Sequence, residues 1–503
     1  MQAGGYRRDR FTMNATKSPT AHLRKASITD LPPELLSIIF KFVYYSTSPI
    51  QLEKDIIPTW MRMKGPKGFK QAVTALVHPT IPDEPNLKSP ALFPYSLAAV
   101  CSFWRDVLCS HPEFWTLIVL FVDSKPTSLV EASLFLKWSR KQHIDVVITR
   151  RDGHRPAFFP DRHEKFQIDA FLHILKPHLR RCRSLHIDAH LSSSFPIIRK
   201  SFSGIQAPHL KYMELVCNAH ADDEEDEYSD GDLEGEFEPQ LTRLVIDGKN
   251  FCQPSEEANH WTDNAGLKQL TIAKYTPGEN DKYSLNALLT SLHTMTFLEQ
   301  LKLEGLHFSI CDWDGTLEIY SESPYIHLED VSGSFITIIS KSVYLPPGSV
   351  LRITRCPLVD LHNFWDLDIV DTLVLEDISS SVDLLGAVTA WDGFNLWLDR
   401  CHSFSNMFLK ALGRQHSHDS YPCHEMRRLL LYRLPKFSIS LLKEMIENRN
   451  SLDVDYDDPD WKSVSNFGPA ISHLAVVQCG LGKLSAQDEE WFRTHLVEFY
   501  WGS

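Results

Sequence analysis

The sequence predicts an α/β protein in which a small all-α domain at the N-terminus precedes a long α/β solenoid. Two observations support this fold class. Apolar residues recur at helical spacing in two segments near the N-terminus, and a short apolar pattern typical of strands then returns many times between residues 182 and 477. At 503 residues the chain is long enough for a small domain and an extended repeat. We expect residues 27–117 to form the helical domain and residues 118–484 to form the solenoid.

The first helix is predicted to begin near Leu31. Asp30 is a residue type that caps helix N-termini, and Pro32 and Pro33 are tolerated in a first turn. Glu34 adds negative charge at the positive end of the helix dipole. The apolar residues that follow are Leu35, Leu36, Ile38, Ile39, Phe40, Phe42 and Val43. Because almost no polar face remains, this helix must be covered on both sides.

A second helical segment is predicted some sixty residues later. Apolar residues recur there at spacings of three and four, which is the spacing of one helix face. They are Leu97, Val100, Cys101, Trp104 and Leu108. This segment can cover one side of the first helix, and the other side still needs a partner. An ordinary buried helical hairpin is the plainer interpretation of the apolar spacing alone.

The two segments together resemble an F-box. The resemblance rests on Leu31-Pro32 followed by Glu34-Leu35-Leu36, on Val100-Cys101 with Trp104-Arg105, and on Pro112 with Trp115. It implies a substrate-recognition adaptor of an SCF-type cullin-RING E3 ubiquitin ligase. In such an adaptor the F-box binds the Skp-family linker protein, and through it the cullin and RING subunits, while the rest of the chain holds a protein substrate for ubiquitin-dependent degradation.

The resemblance also implies which residues contact the Skp-family linker. Those that match contacting positions of the family are Leu31, Pro32, Leu35 and Ile39 in the first helix, and Val100, Cys101 and Trp104 in the later segment. The sequence departs from a compact F-box in one respect, because a proline-rich insert at about 46–94 separates the two segments.

The repeats after residue 118 share the pattern apolar-x-x-apolar-x-apolar, and their clearest copy is Leu298 to Leu306. Between the first five copies the central residues lie 28, 31, 26 and 31 positions apart. These central residues are Leu185, Met213, Leu244, Leu270 and Leu301. Further copies begin at Leu351, Thr372, Phe394, Met426 and Leu474. This period resembles that of leucine-rich repeats, in which each unit buries its apolar face only against its neighbours.

Helical patterns lie between several of these strands, as in 168–175 and 284–292. The alternation fits an α/β solenoid, and a conventional α/β domain with a parallel sheet would also satisfy it. The resemblance to leucine-rich repeats is looser than that to the F-box, because the Asn or Cys position of the motif is mostly absent.

Three further segments have a plain interpretation. The acidic run 222–238 is expected to be a solvated loop within the repeats, with recruitment of a basic substrate as the alternative. His416, His418, Cys423 and His424 are potential zinc ligands, but no second ligand pair accompanies them, so we predict no metal site. Residues 485–503 are predicted to form a helix that covers the last repeat.

Composition excludes several classes of protein. No apolar run approaches the roughly 20 residues of a membrane span, and the polar residues 1–26 are expected to be disordered and lack a secretory signal. Ten scattered cysteines suggest reduced thiols, and the net charge of -14 argues against nucleic-acid binding. No phosphate loop, nucleophile elbow or zinc-protease motif is present. We therefore predict a cytoplasmic or nuclear protein that is not an enzyme and needs no cofactor.

Two functions remain open. The first is the ligase adaptor described above, and the second is a leucine-rich-repeat scaffold that acts outside a ubiquitin ligase and uses the N-terminal helices as a cap. Exposure of Pro32, Leu35 and Ile39 separates the two, because an adaptor leaves these side chains free as an apolar patch and a cap buries them within its own chain.

Overall fold

The computed structural model describes most of the chain after residue 91 and, among the residues it describes before that point, one helix. It describes residues 31–46, 87, 89, 92–151, 161–196, 198–219, 237–251, 266–275, 285–295, 297–308, 319–320, 324–358, 370–414, 421–450 and 471–502. Several predictions concern residues outside these ranges: the predicted disorder of residues 1–26, most of the insert at 46–94, the acidic residues 222–236, and the pair His416 and His418.

The N-terminal helices are α1 (Pro33–Ser46), α2 (Tyr95–Ala98) and α3 (Ser102–Cys109), followed by a 3-10 turn at Pro112–Trp115. α1 begins two residues later than predicted. The helical segment predicted across Leu97 to Leu108 contains two short helices, α2 and α3. Cys101 between them has an extended backbone and caps α3, its Sγ accepting a hydrogen bond from Trp104 N at 3.5 Å.

One parallel sheet of 14 strands dominates the structure. Its strands are β1 (Leu117–Phe121), β2 (Ile144–Thr149), β3 (Cys182–Leu191), β5 (Tyr212–Ala219), β7 (Arg243–Asp247), β8 (Gln269–Tyr275), β9 (Gln300–Leu306), β11 (Tyr325–Glu329), β13 (Ser349–Thr354), β14 (Val370–Glu376), β15 (Asn395–Asp399), β16 (Arg428–Tyr432), β17 (His473–Val477) and β18 (Glu498–Gly502). Two small parallel pairs lie outside it, formed by β4 (Gln206–Ala207) with β6 (Glu238–Pro239) and by β10 (Ile319–Tyr320) with β12 (Val343–Tyr344).

Helices follow many of these strands. They are α4 (Leu129–Trp138), α5 (Asp161–Leu175), α6 (Ile198–Ser201), α7 (Gly248–Phe251), α8 (Leu285–His293), α9 (Gly333–Ser342), α10 (Ser381–Thr389), α11 (Asn406–Leu412), α12 (Ile439–Asn450) and α13 (Ala486–His495). The predicted alternation of helix and strand is therefore confirmed. The spatial order of the strands follows the chain from one edge of the sheet to the other, without the reversal that marks a doubly wound sheet.

The predicted central residues form a single line across the sheet. Leu185 lies opposite Met213, Met213 opposite Leu244, and this register continues strand by strand. The complete line is Ile118, Val146, Leu185, Met213, Leu244, Leu270, Leu301, Ile326, Leu351, Leu373, Leu396, Leu429, Leu474 and Phe499. Buried helix residues such as Leu288 and Leu384 belong to the same hydrophobic core. We call this side of the sheet the core face and the opposite side the open face.

From β8 onward, most strands have a left-handed residue directly after their last residue or one residue before it. Lys274, Asp330, Arg355, Asp377, Arg400, Arg433 and Gln478 have φ between 50° and 55°, and Gly305 takes the same place with φ 59°. Several of these residues donate their N–H to the neighbouring strand, as from Arg355 to Glu376 O and from Arg433 to Val477 O. The same turn thus closes each strand and sends the chain back toward the core face. The residue after the turn is buried and is a cysteine at Cys356, Cys401 and Cys479.

The N-terminal edge of the sheet is closed by the chain itself. In β1 the bonds Asp145 N to Thr116 O and Val122 N to Thr149 O fix which residues face β2, so the backbone groups of residues 117, 119 and 121 face outward. Tyr95 Oη donates to Leu117 O at 2.8 Å and accepts from Val119 N at 3.0 Å. Thr127 bonds Phe121 in the same way. Phe121 N donates to Thr127 Oγ1 at 2.9 Å, and Thr127 N donates to Phe121 O at 3.1 Å.

Replacing Tyr95 with phenylalanine is expected to destabilise this edge by about 1 to 3 kcal/mol, because a buried N–H and a buried carbonyl of β1 lose their partner while the ring stays in place. Chemical denaturation compared with the wild type measures this loss. A Tyr45→Phe variant, at an exposed position of α1, is the matched control for removal of a hydroxyl. Equal unfolding midpoints for Tyr95→Phe and the wild type would contradict the edge-closing role.

The C-terminal end differs from the predicted capping helix. Helix α13 lies within the predicted segment, capped by Ser485, whose side chain accepts from Asp488 N at 3.1 Å. After it, however, residues Glu498–Gly502 form a further strand that pairs with β17 and is the last strand of the sheet. The alternating aromatic residues 499 to 501 place Phe499 and Trp501 against the core, which favours a strand over a longer helix.

Among the described helices, none combines the length and the apolar character needed to span a membrane.

Candidate functional site

Helix α1 has two apolar faces with different surroundings. Leu36 and Phe40 are buried, with 0% and 1% of their surface exposed. Leu35, Ile38, Ile39 and Phe42 are exposed by 48%, 61%, 42% and 75%. Their spacing of i, i+3, i+4 and i+7 places them on one stripe of the helix, which we call the apolar stripe. Exposed apolar stripes of this kind mark surfaces that bind partners.

A compact cluster holds α1 in place. Its buried residues are Leu36, Phe40, Ala98, Trp104, Val107, Leu108, Phe114 and Trp115. Phe40 of α1 meets Trp104 of α3 edge to face, with ring centroids 5.3 Å apart. Trp115 packs on Trp138 of α4 at 4.5 Å, which ties the cluster to the first helix beside the sheet. The apolar stripe is therefore presented on a helix whose other face is fixed by packing.

The residues predicted to contact a linker protein fall into two groups. Pro32, Leu35, Ile39 and Val100 are exposed. Leu31 and Cys101 are half-buried against the cluster described above, and Trp104 is buried within it. The structure thus brings Leu31, Cys101 and Trp104 together inside the fold and leaves the other four at the surface.

Trp104 carries an unusual buried polar group. Its Nε1 is shielded from solvent and finds no acceptor among the described residues. Its ring lies against Phe40, so a change at this position acts on the orientation of α1. We regard Trp104 as a positioning residue for the apolar stripe.

Sequence reasoning missed Ile38, Phe42 and Tyr45 as surface residues, although all three are exposed. The signal was available in the helical spacing of 35, 38, 39 and 42, which separates one stripe from the buried residues 36 and 40. It could not be used without knowing which face packs on the rest of the chain.

The open face of the sheet is a second candidate surface, and its middle carries a network of ion pairs. Lys302 Nζ lies 2.6 Å from Glu329 Oε2, and Arg355 Nη2 lies 2.6 Å from the other oxygen of the same carboxylate. Farther along, Glu376 is bonded by both Arg352 and Arg400. These charges compensate one another across neighbouring strands, so this part of the face does not attract ligands of one sign of charge.

Burial and neighbouring charges decide the protonation of this network. Burial raises the pKa of Glu376, but Arg352 and Arg400 outweigh it, and the net pKa of this carboxyl is lowered. Burial, together with Arg352 and Lys302, lowers the pKa of His327 well below its ordinary value. A neutral imidazole between paired charges is a structural element, and its Nε2 lies 3.0 Å from Thr354 Oγ1.

Toward the C-terminal end the open face becomes apolar. A buried cluster is formed there by Val374, Trp397, Leu430, Tyr432, Ala475 and Val477, with Val350 and Tyr500 packed against it. The sheet therefore has a polar middle and an apolar end on this face.

The described residues contain no group of three or more His, Cys, Asp or Glu side chains able to hold a metal ion. Cys423, one of the potential ligands considered above, is buried and donates its thiol to Val388 O at 2.9 Å. Burial raises the pKa of the Cys356 thiol to about 11 and that of Cys401 to about 12. These cysteines are protonated core residues rather than nucleophiles.

No protein-family model and no curated protein matches this chain.

Proposed function

We propose that this protein is a substrate-recognition adaptor of an SCF-type cullin-RING E3 ubiquitin ligase. In this proposal α1 binds the Skp-family linker protein, and the sheet with its helices holds a protein substrate in the cytoplasm or nucleus. The observation that carries it is the apolar stripe, because Leu35 and Ile39 are exposed as an adaptor requires.

The energetics of the apolar stripe are compatible with such a complex. Burying each large apolar side chain contributes about 1.5 to 3 kcal/mol before the costs of association. Leu35, Ile38, Ile39 and Phe42 present four such side chains on a helix that is already ordered by its buried face. An ordered helix loses less conformational entropy on binding than a segment that must fold first.

The architecture supports a leucine-rich-repeat-like solenoid as the substrate-binding part. Strand order follows the chain, the central residues keep one register, and one turn geometry recurs at the strand ends. When the central residues Leu351, Leu396 and Leu474 are set as the fourth position of the motif, Cys356, Cys401 and Cys479 occupy the ninth position, where the motif carries Asn or Cys. Each of these thiols donates to carbonyls of the strands, as Cys401 Sγ does to Leu375 O at 3.4 Å.

The alternative function is a repeat scaffold that acts outside a ubiquitin ligase. It is favoured by one observation, the bonds from Tyr95 to β1, because they show the N-terminal helices closing an edge of the sheet. The two functions are compatible in structure, since Tyr95 and the apolar stripe lie on different helices.

The decisive test is purification of the tagged full chain together with a Skp-family linker protein. A Leu35→Asp, Ile39→Asp double variant is expected to weaken linker binding about 100-fold or more, because two apolar anchors become buried charges. The fold should persist, since both side chains are exposed. Affinity is measured by calorimetry or surface plasmon resonance.

A Val382→Asp, Met407→Asp double variant is the matched control, because both residues are exposed on helices remote in sequence from α1. It should bind the linker as the wild type does. A folded wild-type chain that fails to bind any Skp-family linker would overturn the adaptor function and leave the scaffold.

A further inference from the structure

The two edges of the 14-stranded sheet are treated differently by the chain. At the N-terminal edge Tyr95 and Thr127 bond the outward backbone groups of β1. At the C-terminal edge the bonds Glu498 N to Ser472 O and Gln478 N to Gly502 O fix the residues that face β17. Alternate residues of a parallel strand bond to the same side, so the N–H and C=O groups of Phe499 and Trp501 face outward.

Within the part of the chain that the structure describes, neither a strand nor a side chain bonds these outward groups of Phe499 and Trp501. The strand also lacks the usual protections of an edge, since 498–502 contains no proline and no lysine. It is rich in aromatic residues, which favour strand pairing. We propose that β18 is a docking edge that pairs with β18 of a second copy of this chain, in antiparallel orientation about a two-fold axis at Tyr500.

The sequence of β18 is complementary to itself in this register. Pairing about Tyr500 sets Phe499 opposite Trp501 of the second copy, and these are the residues whose backbone groups face outward. Each such pair exchanges both of its N–H···O bonds. The one charged residue of the strand, Glu498, falls opposite Gly502, so like charges do not meet.

Side chains support the same pairing on both faces of the sheet. On the core face Phe499 stacks on Phe492 with ring centroids 4.8 Å apart, and Trp501 lies at 6.0 Å from the same ring. Phe499 and Trp501 are only half-buried, so a second copy extends an aromatic layer that is already ordered. On the open face Tyr500 meets its counterpart as a cross-strand aromatic pair. An unrelated extended peptide would gain the backbone bonds but not this match of side chains.

The oligomeric state of the full chain is the first measurement, by light scattering after gel filtration over a range of concentrations. The wild type is expected to dimerise. Tyr500→Lys and Tyr500→Glu should each weaken the dimer about tenfold, because like charges then lie directly opposite and an aromatic pair is lost. An equimolar mixture of the two variants should restore dimers, and Tyr500→Thr serves as the uncharged control.

Cysteine cross-linking tests the register. Residues directly opposite in a non-hydrogen-bonded antiparallel pair have Cα atoms about 4.5 Å apart, which a disulfide can bridge. Tyr500→Cys should therefore form a covalent dimer under mild oxidation, and Glu498→Cys, whose counterpart is Gly502, should not. The wild type in the same oxidant controls for the native cysteines.

A wild type that stays monomeric at every concentration overturns the proposal, as does a monomer that takes up an extended peptide at this edge. A dimer that forms equally well with Tyr500→Lys also overturns it, because the contact then lies elsewhere. The inference does not depend on linker binding, since β18 and α1 are at opposite ends of the chain.

Discussion

Replacing Arg449 with methionine is expected to lower the free energy of unfolding of the C-terminal part of the sheet by about 3 to 5 kcal/mol. Arg449 lies in α12 and none of its surface is exposed. Its guanidinium donates to Leu412 O at 3.2 Å, to Pro422 O at 2.7 Å and to Cys423 O at 2.6 Å. Methionine keeps much of the volume but removes the donor of the buried carbonyls of Leu412 and Pro422, while Cys423 O keeps its bond from Met426 N at 3.0 Å.

Burying the positive charge of Arg449 costs free energy, and these hydrogen bonds offset that cost. Burial lowers the pKa of the guanidinium, because the charged form is less stable away from water. The ring of Tyr421 lies 5.4 Å from the guanidinium carbon and adds a favourable cation–π contact. Arg449 thus joins α12 to the end of α11 and to residues 422 and 423, which precede β16.

Urea denaturation and amide hydrogen exchange together measure the loss of stability expected for Arg449→Met. Exchange is informative here because an array of repeats can open locally, in which case α12 and β16 should lose protection first. Arg493→Met, at an exposed position of α13, is the control and should change stability by no more than about 0.5 kcal/mol. The same protection of β16 in Arg449→Met and the wild type would show that the carbonyls of Leu412 and Pro422 find other donors.

Replacing Trp391 with alanine is the second large effect, an expected loss of about 3 to 5 kcal/mol. Trp391 follows α10, is fully buried, and donates from Nε1 to Val370 O at 2.7 Å, at the start of β14. Its surroundings leave no room for adjustment, since a methyl group at Gly393 would overlap both Val370 O and Trp391 Nε1. A cavity at Trp391 therefore remains largely open.

A Trp391→Phe variant separates the two contributions. It keeps most of the ring and removes the N–H, so we expect a loss of about 1 to 3 kcal/mol, clearly smaller than that of the alanine variant. Val382→Ala, at an exposed position of α10, is the control for truncation of an apolar side chain outside the core. Thermal and urea unfolding of all three variants rank their losses in the free energy of unfolding. Equal losses for Trp391→Phe and Trp391→Ala would argue against a cavity cost.

The strands could be predicted wherever the repeat pattern was clear around its central apolar residue. Leu301, for example, stands at the centre of a clear copy, and it lies in the line of central residues. β2 and β11 belong to the same sheet but were missed, because they fill only the last two apolar positions of the pattern, at Val146 and Ile148 and at Ile326 and Leu328, and its first position is His143 or Ser323. A parallel strand buried on both faces is a continuous apolar run, which carries no period of its own.

The helices were harder to place because side chains decide their ends. Cys101 was predicted inside a helix, and in the structure its thiol starts one. Leu35, Ile39 and Trp104 were all predicted as contact residues from the same motif, and the structure exposes Leu35 and Ile39 but buries Trp104. Local spacing cannot distinguish the inward from the outward face of a helix that is apolar on both, since packing against α3 makes that choice.

The bonds from Tyr95 and Thr127 to β1 also bear on how chains can accumulate. A parallel sheet whose strand order follows the chain would grow without limit if β18 of one molecule could continue into β1 of the next. That junction requires the outward groups of Leu117, Val119 and Phe121. Tyr95 and Thr127 of the same molecule already bond Leu117 O, Val119 N and both groups of Phe121. Continuation of the sheet from β18 of one molecule into β1 of the next would have to displace the Tyr95 hydroxyl and Thr127 first, so this edge disfavours head-to-tail growth.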